Sequence, residues 1–232
     1  MKRSEINQAI KDMERMAAGQ GFCLPPFCAF TPEEWNGKDH EYDEIRDNAL
    51  GWDITDFGSG DFRTVGMSLI TIRNGNIYNE KYTKPFAEKL LFLYEGQVAP
   101  FHFHKYKMED IINRGGGELD IQVYHSKADG ALDTESEVEV WSDGRRYTVP
   151  AGSRVRLSPG ESITIYQGLY HKFIPVAGTG DVLIGEVSMC NDDDADNFFL
   201  EPAGRFPEII EDEAPYQLLC KEYPAAKGKI EK

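Results

Sequence analysis

The chain is short of basic residues, of cysteine and of long apolar runs, and each shortage closes off a class of function. Its 232 residues hold 25 Lys and Arg against 40 Asp and Glu, a formal charge of -15. Such a balance repels a phosphate backbone, so nucleic acid is excluded as an expected partner. No stretch approaches the roughly 18 apolar residues a membrane helix needs. The opening MKRSEINQAIKDMERMAAGQ also lacks the uninterrupted apolar core of a secretory signal, so the expectation is a soluble, cytoplasmic protein with no membrane partner. Cys23, Cys28, Cys190 and Cys220 form no CxxC pair, and without an export signal no disulfide framework is expected, so they read as reduced and mostly structural. Histidine is scarce as well, at five, so any clustering of it carries weight.

What is present is a single-domain pattern over 1–232, helical first and then rich in strands. Ile6, Ile10, Met13 and Ala17 recur at helical spacing and predict an amphipathic helix over 5–18. Thr31 before Pro32, with Glu34 three residues on, predicts a capping-box start for a second, short helix. These belong to an N-terminal extension over 1–60. From 61 to about 190, runs such as VGMSLITIRNG, KLLFLYEG, ELDIQVYHS and DVLIGEVSM are rich in branched and aromatic residues and punctuated by Gly, Asn-Gly and Asp-Gly turns. About eight to eleven strands without helix-length crossovers predict an all-β, antiparallel sandwich or barrel. In the closing segment, 191–232, NDDDADN is too charged to be buried unpaired, and GRFPEIIEDEAPYQLL predicts some helix.

One stretch, APFHFHKYKMEDIINRGGG at 99–117, concentrates metal-binding chemistry. In a strand, alternate side chains share a face, so His102 and His104 converge while Phe101 and Phe103 face away. Glu109 follows a short turn, and His171 lies in a later strand. Three imidazoles and a carboxylate suit a first-row divalent cation such as Mn, Fe, Co, Ni or Zn and leave positions open for water or substrate.

The spacing Gly96, His102-x-His104, Glu109, Gly116, followed by Gly160, Tyr166-x-Gly168, His171, resembles the paired motifs of the cupin superfamily, with Tyr166 and Pro175 departing from the usual proline and asparagine. The resemblance implies a double-stranded β-helix, or jelly-roll barrel. HFHKYKMEDIINRGGG with ELDIQVYHS, the long N-terminal extension, and GEVSMCNDD and GRFPEIIEDE in the tail together resemble the cupin D-lyxose isomerases. That further resemblance implies a manganese-dependent homodimer interconverting D-lyxose with D-xylulose, and D-mannose with D-fructose. The chemistry is compatible, because aldose–ketose isomerisation builds negative charge on two adjacent oxygens that a divalent cation can neutralise.

Around the four candidate ligands, Lys107 is expected to shuttle a proton, its pKa lowered beside a cation, at a position where the family carries a lysine. The family also implies an acid–base carboxylate in the tail, at Glu208 or at Glu201. Glu118, Asp120 and Gln122 alternate with apolar residues, and Gln122 is the candidate sugar contact if that polar row lines the cavity. Glu186, alternating with Ile184 and Ser188, and Arg205 are further candidates for substrate contact. Trp35, Trp52 and Trp141 offer either sugar stacking or core packing. His40 and His125 fit no ligand spacing. Two other chemistries suit the same ligands: a ferrous dioxygenase, and a sugar-phosphate isomerase with Lys105, Arg114, Arg154 and Arg156 holding the phosphate.

Overall fold

The computed structural model describes residues 1–192, 195–204 and 206–228. The N-terminal region folds as helix α1 (Arg3–Gly19), helix α2 (Pro32–Trp35) and helix α3 (Asp43–Asp47), with 3-10 turns at Pro26–Ala29 and His40–Tyr42. α2 starts with its capping box formed: the Glu34 amide donates to Thr31 Oγ1, and the Thr31 amide donates to the Glu34 carboxylate. α1 begins two residues before the expected start because Lys2, rather than Ser4, stands at its cap and donates its amide to Glu5.

The rest is antiparallel strand: β1 (Gly51–Thr55), β2 (Met67–Arg73), β3 (Phe86–Leu93), β4 (Ala99–His104), β5 (Glu109–Gly116), β6 (Leu119–Ser126), β7 (Leu132–Asp133), β8 (Val138–Ser142), β9 (Arg145–Val149), β10 (Arg154–Leu157), β11 (Ser162–Ile165), β12 (Leu169–Pro175), β13 (Val182–Met189) and β14 (Asn197–Phe199). An eight-stranded sheet runs β1-β2-β3-β13-β5-β11-β8-β9, and a second runs β10-β6-β12-β4-β14 with β7 added to β6. Their facing sides enclose a core that includes Leu69, Leu91, Ile111, Ile121, Val123, Ile163, Phe173 and Ile184, which makes the jelly-roll barrel. The first strand comes earlier than the sequence pattern suggests.

The apolar stripe of α1 docks on this chain's own barrel. Ile6, Ile10, Met13 and Ala17 pack with Trp52, Ile54, Ile70, Leu90, Phe92 and Leu183 on the outer face of the large sheet. β1, β2 and β3 are therefore buried on both faces, which is why KLLFL and MSLITI read as apolar runs instead of alternating. After β5 the chain reverses at GGG, where Gly116 sits at φ +89 and a Cβ would meet the Asp181 carbonyl oxygen at 2.2 Å.

The helix expected in GRFPEIIEDEAPYQLL is absent among the described residues. The segment is extended because its polar groups are taken by α1: Arg3 pairs with Glu211 and Glu222 at 2.6 and 2.5 Å, Ser4 donates to Asp212, and Asn7 donates to Glu213. Ile210 also bridges Lys2. The negative side chains lie where the α1 N-terminus favours them.

Candidate metal centre and active site

Strand pairing assembles the site. β12 aligns against β4 so that His171 lies opposite His102, and β14 aligns Phe199 with His102 and Asn197 with His104. The three imidazoles present ligand atoms within 4.8 Å of one another. Glu109, at the head of β5, points one carboxylate oxygen at the cluster, with Oε1 3.3 Å from His104 Nε2 and 3.5 Å from His171 Nε2.

These donors fit a divalent cation on two counts. His102 and His171 each donate Nδ1–H to a backbone carbonyl, of Pro100 and of Leu169 at 3.0 Å, which leaves Nε2 as the bare nitrogen. His104 and His171 also bury Nε2 atoms that make no hydrogen bond, a costly arrangement for a polar atom unless a ligand completes it. Protonation does not supply the missing partner: burial pushes His102 well below its ordinary value and brings His171 down to about 4, and mutual repulsion among the imidazoles adds to it. Glu109 keeps its charge, since Lys107 and the histidines outweigh the upward pull of burial.

Lys107 is buried between two carboxylates, 2.7 Å from Glu109 Oε2 and 2.9 Å from Glu186 Oε1. Burial pulls its pKa down, but Glu109 and Glu186 together push it above the ordinary lysine value, so these two carboxylates hold it as an ammonium donor. Its turn is fixed by Asp196, whose carboxylate accepts the amides of Lys105, Tyr106 and Lys107 at 2.8–2.9 Å. A second buried lysine, Lys89 on β3, lies opposite Glu186 on β13 and 3.6 Å from its Oε1.

One pocket collects these groups, lined by His102, His104, Lys107, Glu109 and Glu186 with Asp53, Thr55, Lys89 and Asn197. Its apolar wall is Phe57, Met67, Leu69, Leu91, Phe173 and Phe199. Asp53, Lys89 and Asn197 escaped the sequence reading, although a charge inside GWDIT or KLLFL was the available signal.

Several expected contacts lie elsewhere. Val123 pairs with His171 and faces inward, so Gln122 faces outward against Lys172 and donates to the Gly152 carbonyl at 3.1 Å. Glu208 is exposed in a separate surface depression with Met1, and its carbonyl accepts the N-terminal ammonium at 2.8 Å. Glu201 is exposed and also outside the pocket, while Arg205 lies outside the described residues. None of the three tryptophans lines the pocket: Trp35 stacks on Tyr223, Trp52 is buried and Trp141 is on the surface. Lys105, Arg114, Arg154 and Arg156 do not reach it, and Arg156 pairs with Asp120.

Comparisons agree with this architecture. The D-lyxose isomerase family model matches residues 1–223. D-lyxose/D-mannose isomerase of Serratia proteamaculans is 47% identical over 96% of this chain and 98% of its own length, and that of Escherichia coli O157:H7 is 45% identical over the same shares. Among solved structures, Cellulomonas parahominis L-ribose isomerase with L-ribose superposes with a TM-score of 0.59 at 19% identity, over 90% of this chain and 98% of its own, a likeness of fold. With the family match spanning nearly the whole chain and both relatives aligned end to end, the chain belongs to the D-lyxose isomerase family.

Proposed function

We propose that this protein is a manganese-dependent aldose–ketose isomerase that interconverts D-lyxose with D-xylulose and D-mannose with D-fructose. The observation that carries the reading is the buried Lys107–Glu186 pair set in one pocket with the His102, His104 and Glu109 donors, with His171 completing the imidazole cluster. Names borne by relatives aligned over the full chain supply the sugars.

His102, His104, Glu109 and His171 would hold the cation, which when bound supplies fixed positive charge against the oxygens of the reacting carbons. The remaining steps fall to the protein. Glu186 takes the carboxylate role expected of Glu208, because it is buried in the pocket with one oxygen on Lys107. It accepts the proton from C2, exchanges it with solvent and delivers a proton to C1, while the hydroxyl proton passes from O2 to O1. Lys107, 2.9 Å from Glu186 Oε1, donates toward the developing oxygen charge. Phe57, Phe173 and Phe199 form the apolar wall of the pocket beside these groups.

The reading includes a cytoplasmic homodimer. An exposed apolar group of Phe86, Met108, Val187 and Met189 supports the dimer, and sedimentation tests it.

Stripping the purified protein with EDTA should abolish ketose formation from D-lyxose and D-mannose, and Mn2+ should restore it. Oxygen uptake with Fe2+ and no ketose would instead mark a dioxygenase.

A further inference from the structure

Lys89 on β3 and Lys107 just ahead of β5 come from the two strands that flank β13, and they share a second acceptor besides Glu186. Asn191 Oδ1 accepts from Lys89 Nζ at 2.7 Å and from Lys107 Nζ at 3.2 Å. Asn191 follows β13 by two residues, in a connection that would be free to move if only its side chain were engaged. Instead its backbone is clasped on both sides by one residue: the Asn191 amide donates to Asn74 Oδ1 at 2.9 Å, and the Asn74 side chain donates back to the Asn191 carbonyl at 3.1 Å. Asn74 is itself buried, and its carbonyl accepts from Asn48 Nδ2 at 3.2 Å. A chain of asparagines thus runs from behind the large sheet to the two ammonium groups.

The chemistry favours an amide at 191. Lys89 and Lys107 face Glu109 and Glu186, and Asp53 lines the same pocket, so this buried setting already holds one carboxylate more than it has lysines. An amide oxygen takes a further ammonium hydrogen without disturbing that balance, whereas a carboxylate would compete with Glu186 for both lysines. A lysine stem has four rotatable bonds, so an acceptor common to both ammonium groups fixes where they sit relative to each other.

We infer that Asn191 is a positioning residue for the isomerisation, holding Lys89 and Lys107 against Glu186 from a seat fixed by Asn74. Its effect on turnover rests on the isomerase reading above; its effect on the two lysines does not.

The test pairs kinetics with side-chain NMR on Asn191→Ala, Asn74→Ala and the double variant. In Mn2+-loaded protein, Asn191→Ala should lower kcat by about 10²-fold, the size expected when a reacting group is slightly misplaced. KM should stay within about a factor of two, since uniform binding is untouched. Asn74→Ala should give a smaller loss, and the double variant should lose no more than Asn191→Ala, the non-additivity of residues acting in series. In Zn2+-loaded, 15N-lysine-labelled protein, the wild type should show two solvent-protected ammonium signals, and Asn191→Ala should lose the protection of both. A folded, metal-loaded Asn191→Ala with wild-type kcat, or with both signals still protected, overturns the proposal. If Asn191→Ala does not fold, Asn74→Ala decides by the same two readouts. If the wild type forms no ketose, the isomerase reading fails, and the lysine signals still decide the positioning role.

Discussion

At the scale of single residues, the pocket assigns different jobs to side chains of one type. Glu109 turns one oxygen to the imidazoles and the other to Lys107, while Glu186 turns one oxygen to Lys107 and Lys89. In the proposed reaction the first is a ligand and the second the proton carrier. Glu186→Gln should therefore lower kcat by about 10²–10⁴-fold while metal content, read by elemental analysis, stays that of the wild type. Glu208→Gln, on the surface, should leave kcat unchanged; equal losses in the two variants would return the acid–base role to the tail. His171→Ala should reduce metal binding, checked by Mn2+ titration, and remove turnover from a barrel that still folds. The histidine spacing made the imidazole cluster legible, because period-two alternation fixes which residues share a face. It does not say which face is inside. Gln122 was placed wrongly for that reason, and only the register of Val123 against His171 shows its row pointing outward. Glu186 and Lys89 meet because β13 pairs with β3 across about a hundred residues of chain, a relation that no local pattern carries.

At the scale of elements, the extended tail acts as a strap over α1. Arg3, almost wholly buried, makes paired contacts with Glu211 and Glu222, and Ser4 and Asn7 add three more hydrogen bonds to Asp212 and Glu213. Arg3→Ala should destabilise the fold by about 1–3 kcal/mol, measured by urea denaturation, toward the lower end because Glu211 is largely exposed and returns to water. Arg3 lowers the pKa of Glu211, and Ser4 lowers that of Asp212. A carboxylate depressed in the folded state contributes stability above its ordinary value of 4.5, and loses it as pH falls through the lower folded value. Hydrogen exchange in α1 should thus accelerate below about pH 4 before the barrel strands do; simultaneous loosening would contradict the strap. α1 and α2 were legible from stripe and capping box. The tail was misread as helical because its apolar spacing answers to docking on α1, with Pro207 and Pro215 interrupting any helix.

At the scale of the whole molecule, an acidic protein places a small cationic patch, Lys89 and Lys107, at the bottom of a barrel. Glu109, Glu186 and Asp53 outnumber those lysines by one, so a bound divalent ion would turn the pocket's net charge positive where an anionic intermediate would form. Because the proposed ligands come from β4, β5 and β12, cation binding would tie both sheets together. Mn2+ at a hundredfold excess over its dissociation constant should stabilise the fold by about 2.7 kcal/mol, visible as a rise in Tm. The jelly roll itself was legible from the succession of short strands and turns, whereas the short β7 and β14, with too few residues for a periodic signal, were not.

The central claim is that a proton moves between neighbouring sugar carbons through a protein carboxylate beside a bound cation. Conversion of D-lyxose in D2O, followed by 1H NMR, tests it directly. The account predicts D-xylulose carrying deuterium at C1, formed by the Mn2+-loaded wild type and lost both on metal removal and in Glu186→Gln. Ketose that forms without deuterium and at an undiminished rate in Glu186→Gln, or no ketose with Mn2+ present, would contradict it.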